Sequence, residues 1–180
     1  MSEHKDLSEH FVRGDLVYDG ALLKVRRDTV RLPDGSEGTR EYIRHPGAVA
    51  IVALFEDGKV LLERQFRYPH RREFIEIPAG KLEPGEPPLD TAKRELVEET
   101  GYLAAEWTHL GAIHTAIAYT DEAIDLYLAR KLSKVERKLD QGEFLEVLAV
   151  PFDEALTMVR EGRITDSKSV AGLLWVDKWM

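Results

Sequence analysis

Residues 80–102, GKLEPGEPPLDTAKRELVEETGY, constrain this chain more than any other stretch. They open as a loop punctuated by Gly80, Pro84, Gly85, Pro87 and Pro88. Pro88 suits the first turn of a helix, where no N–H donor is needed, and it bars Pro87 from helical angles. The spacing predicts a helix from there to about Thr100, ended by Gly101 in the left-handed conformation. Glu95, Glu98 and Glu99 then stand at i, i+3 and i+4 and share one face. Leu89, Ala92 and Leu96 form an adjacent apolar stripe suited to a core. Locally this is unfavourable. Like charges at that spacing cost roughly 0.2–0.5 kcal/mol per pair. Acids near a helix C-terminus oppose the macrodipole by about 0.3–1 kcal/mol. A chain that accepts this needs a compensating cation, and a hard divalent ion with oxygen ligands is the simplest. The plain alternative is a solvated acidic face, the usual fate of a charge run.

The whole stretch resembles the Nudix box: Gly, five residues, Glu, seven residues, then Arg-Glu-aliphatic-x-Glu-Glu-x-Gly-aliphatic. Gly80, Glu86, Arg94, Glu95, Leu96, Glu98, Glu99 and Gly101 all fall in register. Tyr102 departs, being aromatic where an aliphatic residue is usual. Seven fixed residues at about 6% frequency each would coincide by chance in fewer than about one window in a million. The resemblance implies magnesium, with manganese as a possible substitute, held at a diphosphate that water cleaves. It implies Glu95, Glu98, Glu99 and the Ala79 carbonyl as ligands. Glu86 and Arg94 are expected to tie loop to helix without doing chemistry.

Length and composition agree. One hundred and eighty residues suit one domain with a small extension, and a 43% apolar fraction supports a core. A net charge of −8 argues against general nucleic-acid binding, which needs a basic footprint. The absence of cysteine excludes disulfides and thiolate chemistry. The polar first residues carry no apolar signal region, and no run approaches the ~18 apolar residues of a membrane span. A cytoplasmic protein is the expectation.

Along the chain, residues 1 to about 12 are expected to be disordered or loosely docked. Strands are predicted around 16–18 and 22–26 with an Asp19-Gly20 hairpin, and near 40–43 after a Pro33-Asp34-Gly35 turn. Residues 48–55 are continuously apolar, as for a strand buried on both faces. Further strands are expected at 60–67, 73–77, 107–113, 123–129 and 144–150, with residues 130–142 as an exposed loop. Two helices close the chain. One is capped by Asp153 and ends before Gly162; the other starts near Asp166 or Ser167 and turns Val170, Leu173 and Leu174 inward. Strands mixed with few helices predict α+β rather than a doubly wound sheet. The resemblance implies the Nudix α/β/α sandwich with a mixed sheet, preceded by a small N-terminal antiparallel β-sheet. The expected division is an N-terminal β extension, 1–44, for dimerisation and substrate contact, and a Nudix hydrolase domain, 45–180.

The resemblance also assigns substrate contacts. Arg67 matches a position that touches the diphosphate, and a forked guanidinium suits phosphate oxygens. Arg40 and Arg44 flank the third strand, from which one could reach a partner's adenine in a homodimer. Glu122 matches a contact to the distal ribose. Catalysis falls to Glu98 and Glu99, with Glu143 as general base in the loop after the box and Glu146 as its alternate. The expected activity is hydrolysis of ADP-ribose or a related nucleoside diphosphate sugar to a nucleoside monophosphate and a sugar phosphate. Ile117 replaces the proline that marks ADP-ribose preference. This leaves open a GDP- or UDP-sugar substrate, or a non-catalytic nucleotide-sensing module.

Overall fold

The computed structural model describes residues 5–139, 142 and 144–179. They divide into two compact units, Met1–His45 with Ala116–Glu122, and Pro46–Thr115 with Ala123–Met180.

The first unit is an antiparallel sheet, β1 (His10–Asp19), β2 (Lys24–Arg31) and β3 (Glu37–Arg44), in that order. Asp19 pairs with Lys24 across the first hairpin, and Gly20 donates to the Leu23 carbonyl at 2.9 Å. The second turn is the expected one, with Gly35 at φ 87° donating to Leu32. The segment 116–122 lies along β3: Ile43 donates to Tyr119 and Asp121 donates to Ile43. Residues 10–12 belong to β1, which corrects the expectation of a loose start. They face Arg31 and Val30 across the ladder, so backbone pairing orders a segment whose own composition gives little reason to fold.

The second unit holds the core. β4 (Ala48–Ala53) is buried at all six positions, as its apolar run requires. It pairs in parallel with β9 (Ala123–Lys134) and antiparallel with β7 (Ala79–Lys81), in the sheet order β7-β4-β9-β8. β8 spans Tyr102–His114. A second sheet has the order β10-β5-β6, from β10 (Leu145–Pro151), β5 (Lys59–Arg67) and β6 (Arg72–Glu76). Alternation along β4 explains the layers. Ala48, Ala50 and Val52 pack with Ala155 and Met158 of α2 (Phe152–Arg160) and with Leu173 and Val176 of α3 (Ser167–Trp179). Val49, Ile51 and Ala53 pack with Ala92 and Leu96 from the helix after β7. One strand thus feeds two cores, giving the α/β/α sandwich and an α+β fold with a mixed sheet. Each large side chain so buried contributes about 1.5–3 kcal/mol.

Three local expectations are corrected. β9 continues to Lys134 because it pairs with β8 as far as Tyr102, so residues 130–134 are strand despite their charge. Asp153 lies inside the first turn of α2, whose cap position is Pro151. Leu174 is exposed, whereas Gly172 is buried and sits so close to Val52 that a Cβ would lie 3.0 Å from it.

Candidate active site

The box folds as its spacing requires, with one change. α1 (Pro88–Glu95) begins behind extended Pro87 and continues through Leu96–Thr100 as a π turn. Gly101, at φ 73°, closes it by donating to Val97. A π turn inserts one residue into the helical register and is frequent at functional sites. It leaves Glu99 buried beside the core residue Leu96.

Gly80 is a requirement of space. A Cβ there would fall 1.9 Å from the Glu95 carboxyl carbon, so only glycine lets this carboxylate lie against β7. Glu99 Oε2 accepts from the Ala79 N–H at 3.0 Å, which fixes the helix to the same strand. Arg94 supplies the local cation. Its Nη1 donates at 2.9 Å to both Glu95 and Glu98, while Nε and Nη2 grip Glu86 at 3.1 and 3.0 Å. These bonds, with one from Thr91, hold the Glu86 carboxyl down to about 2. The guanidinium in turn is held far above its ordinary range, chiefly by Glu86. Arg94 therefore bridges the loop to two of the three aligned carboxylates.

Glu95, Glu98, Glu99 and the Ala79 carbonyl offer an all-oxygen donor set, the chemistry a hard divalent ion selects. Among the described residues no three acidic or histidine side chains stand around one point closely enough to cage an ion. Glu95 and Glu98 would have to turn from Arg94 to do so.

Arg67 ends β5, and its Nε and Nη2 donate to the two oxygens of Glu76, each at 2.7 Å. The pair raises the guanidinium further, with Glu99 and Asp166 adding weaker attraction. This brings Arg67 into the electrostatic neighbourhood of the box. Glu146, the alternate base, pairs instead with Arg64 on the exposed side of the β10–β5 ladder. Glu143 lies outside the described residues. In the first unit Arg40 pairs with Glu9, Arg44 with Asp121 at 2.9 Å, and Glu122 stands 3.5 Å from His45. That unit also has a cavity of about 390 Å³ lined by Phe11, Asp28, Arg40, Tyr42, Ile117 and Tyr119 among others.

Sequence reasoning missed a buried charge network in the second unit. Glu63 and Glu76 stand opposite each other on β5 and β6. Glu76 also binds Lys168 Nζ at 2.5 Å, and Lys168 binds Asp166 at 2.9 Å. Burial alone would raise the Glu76 carboxyl, but the hydrogen bond from Arg67 and the charge of Lys168 bring it below its ordinary value. Among the described residues the Glu63 Oε1 is buried without a hydrogen bond, and burial pushes the acid up to about 8 against the opposing charge of Arg137. The available signal was a charge within the apolar run Val60-Leu61-Leu62-Glu63.

A carboxylate-rich turn is thus held against a sheet edge inside an α/β/α sandwich. Residues 44–172 match the NUDIX domain, and residues 15–43 match the nucleoside diphosphate sugar hydrolase N-terminal domain. The chain belongs to the Nudix family and is a Nudix pyrophosphohydrolase that cleaves a diphosphate. It is 40% identical over 174 residues to an ADP-ribose pyrophosphatase of Bacillus subtilis, covering 96% of this chain and 94% of that one. Over 174 residues it is 41% identical to a methanol dehydrogenase activator of Bacillus methanolicus, with the same coverage. The crystal structure of an ADP compounds hydrolase superposes with a TM-score of 0.85 at 21% identity, covering 98% of this chain and 96% of the other, which supports the fold. No helix among the described residues is long and apolar enough to cross a membrane.

Proposed function

We propose that the chain hydrolyses the diphosphate of ADP-ribose or a related nucleoside diphosphate sugar, giving a nucleoside monophosphate and a sugar phosphate. Magnesium, or manganese in its place, would be held by Glu95, Glu98, Glu99 and the Ala79 carbonyl, and would supply charge neutralisation and a more acidic water. The supporting observation is the paired placement of Glu99, buried and anchored to β7, and Arg67, half-exposed and within its field. In the reaction, water forms a bond to one phosphorus as the bridging P–O bond breaks. The water's proton passes to a carboxylate, for which Glu98 and Glu143 are the candidates. Arg67 binds the phosphate oxygens through its guanidinium fork. Arg40, Arg44 and Glu122 are proposed as contacts to the nucleotide and its ribose.

The N-terminal β extension is also proposed as a homodimer interface. Phe11, Leu16, Val17 and Tyr18 on β1 are exposed, apolar surface that a second copy of this chain would cover. The activity is tested with a panel of ADP-ribose, GDP-mannose and UDP-glucose, with and without magnesium, by phosphate release after phosphatase treatment. Glu99→Gln should lower turnover at least a hundredfold while the protein stays folded by circular dichroism. Near-normal turnover would reject the assignment, and binding without cleavage across the panel would favour a sensing module.

A further inference from the structure

Arg67 offers one edge of its fork to Glu76, at 2.7 Å for both bonds. Its remaining nitrogen, Nη1, has no hydrogen-bond partner among the described residues, and the side chain is 44% exposed. Glu76 is the reverse, with its side chain 6% exposed and both oxygens engaged. Behind it stands Lys168, 10% exposed, clamped between Glu76 and Asp166. Asp166 also accepts from the Ser169 N–H at 3.1 Å and from its hydroxyl at 2.6 Å, which caps the start of α3. The Ser169 hydroxyl oxygen in turn accepts from the Ile77 N–H at 2.9 Å, two residues before Ala79. The start of α3 is thereby fastened both to Arg67 and to the strand end that leads into the box.

We propose that Lys168 is a positioning residue for the diphosphate: through Glu76 it holds the Arg67 guanidinium with one nitrogen turned outward for a phosphate oxygen. This rests on the reading of the site given above. A buried ion pair is a costly way to stabilise a fold, since apolar residues of similar volume often do as well or better. Orienting a guanidinium is a reason to keep it. Glu76 alone would fix the plane of the fork, but a carboxylate with only one cation could follow that arginine out toward a charged ligand. Lys168 gives Glu76 a second, immobile counter-charge. Glu63, across the ladder from Glu76, leaves this balance undisturbed while it is protonated.

The test is a double-mutant cycle of Lys168→Met and Arg67→Ala, read as KM and kcat for ADP-ribose with magnesium. Lys168→Met should raise KM about tenfold with kcat within threefold of wild type. Lys168→Arg should restore KM to within threefold, and Lys168→Met should change KM less than twofold when Arg67 is already alanine. An unchanged KM in the folded single variant, or an equal loss in both backgrounds, overturns the proposal. If Lys168→Met does not fold, the arginine Nε–H resonance of Arg67 in wild type, assigned with Arg67→Lys, decides. It should remain protected from exchange when inorganic pyrophosphate and magnesium are added, and release from Glu76 overturns the proposal. A wild type that cleaves nothing in the panel refutes the functional reading instead. The cycle is then read from calorimetric binding of inorganic pyrophosphate, where no binding, or additive losses, overturns the inference.

Discussion

Replacing Glu63 with glutamine should make the protein more stable at neutral and alkaline pH. Glu63 is 4% exposed, and among the described residues its Oε1 has no hydrogen bond. The charged groups around it are Arg137 from the segment after β9, Glu76 on β6, Lys168 on α3 and Arg67 on β5. Burial dominates, and the acid moves from an ordinary 4.5 up to about 8. A folded-state value above the unfolded one means the stabilising proton is fully retained below 4.5, and its contribution is lost as pH rises towards 8. At about 1.4 kcal/mol per pH unit, the interval from 4.5 to 7 corresponds to a penalty of up to about 3 kcal/mol in the native protein. Glutamine keeps the shape and cannot titrate. Urea denaturation of both proteins at pH 4.5, 6, 7 and 8 should show a gap that widens in favour of Glu63→Gln by about 1–3 kcal/mol. Two stability curves that run parallel across this range would refute the reasoning.

Three further outcomes are expected. Gly80→Ala should displace the flexible Glu95 carboxyl, lowering kcat/KM at least tenfold with little change in stability; steady-state kinetics and thermal melting measure both. Gly101→Ala, strained at φ 73° and 3.1 Å from Arg137 Cβ, should lower Tm more than Gly85→Ala, which has φ 80° but nothing within 4 Å. Arg94→Met should change acid denaturation. In wild type, the stability Glu86 provides is present above 4.5 and lost as pH falls towards its folded value of about 2, and the variant should lack that sloping region in a pH titration followed by circular dichroism.

The parts legible in the sequence were those in which one local rule decides. The apolar run at 48–55 read as a strand covered on both faces and forms one over Ala48–Ala53, and the Asp34-Gly35 turn has its glycine at φ 87°. The box declared its helix and its left-handed terminus, though not the π turn at Leu96–Thr100. Less legible were features in which a distant partner decides. Lys131 and Lys134 read as loop because of their charge, yet β8 extends β9 through them. Glu76 falls within the strand expected at 73–77, but nothing near it announces its buried partner Lys168, ninety-two positions away. Glu63 likewise gives no hint in its own neighbourhood of facing Glu76 and Arg137.

The wide turn at Leu96–Thr100 makes the length of this helix a functional quantity. Each α-helical residue advances the direction of a side chain by about 100°. Deleting Val97 would restore an ordinary spiral with Glu98 and Glu99 two and three residues after Glu95, so that Glu98, about 200° around the axis, leaves the face they share, although composition and charge would hardly change. A one-residue deletion here should therefore silence the protein more thoroughly than many substitutions around it.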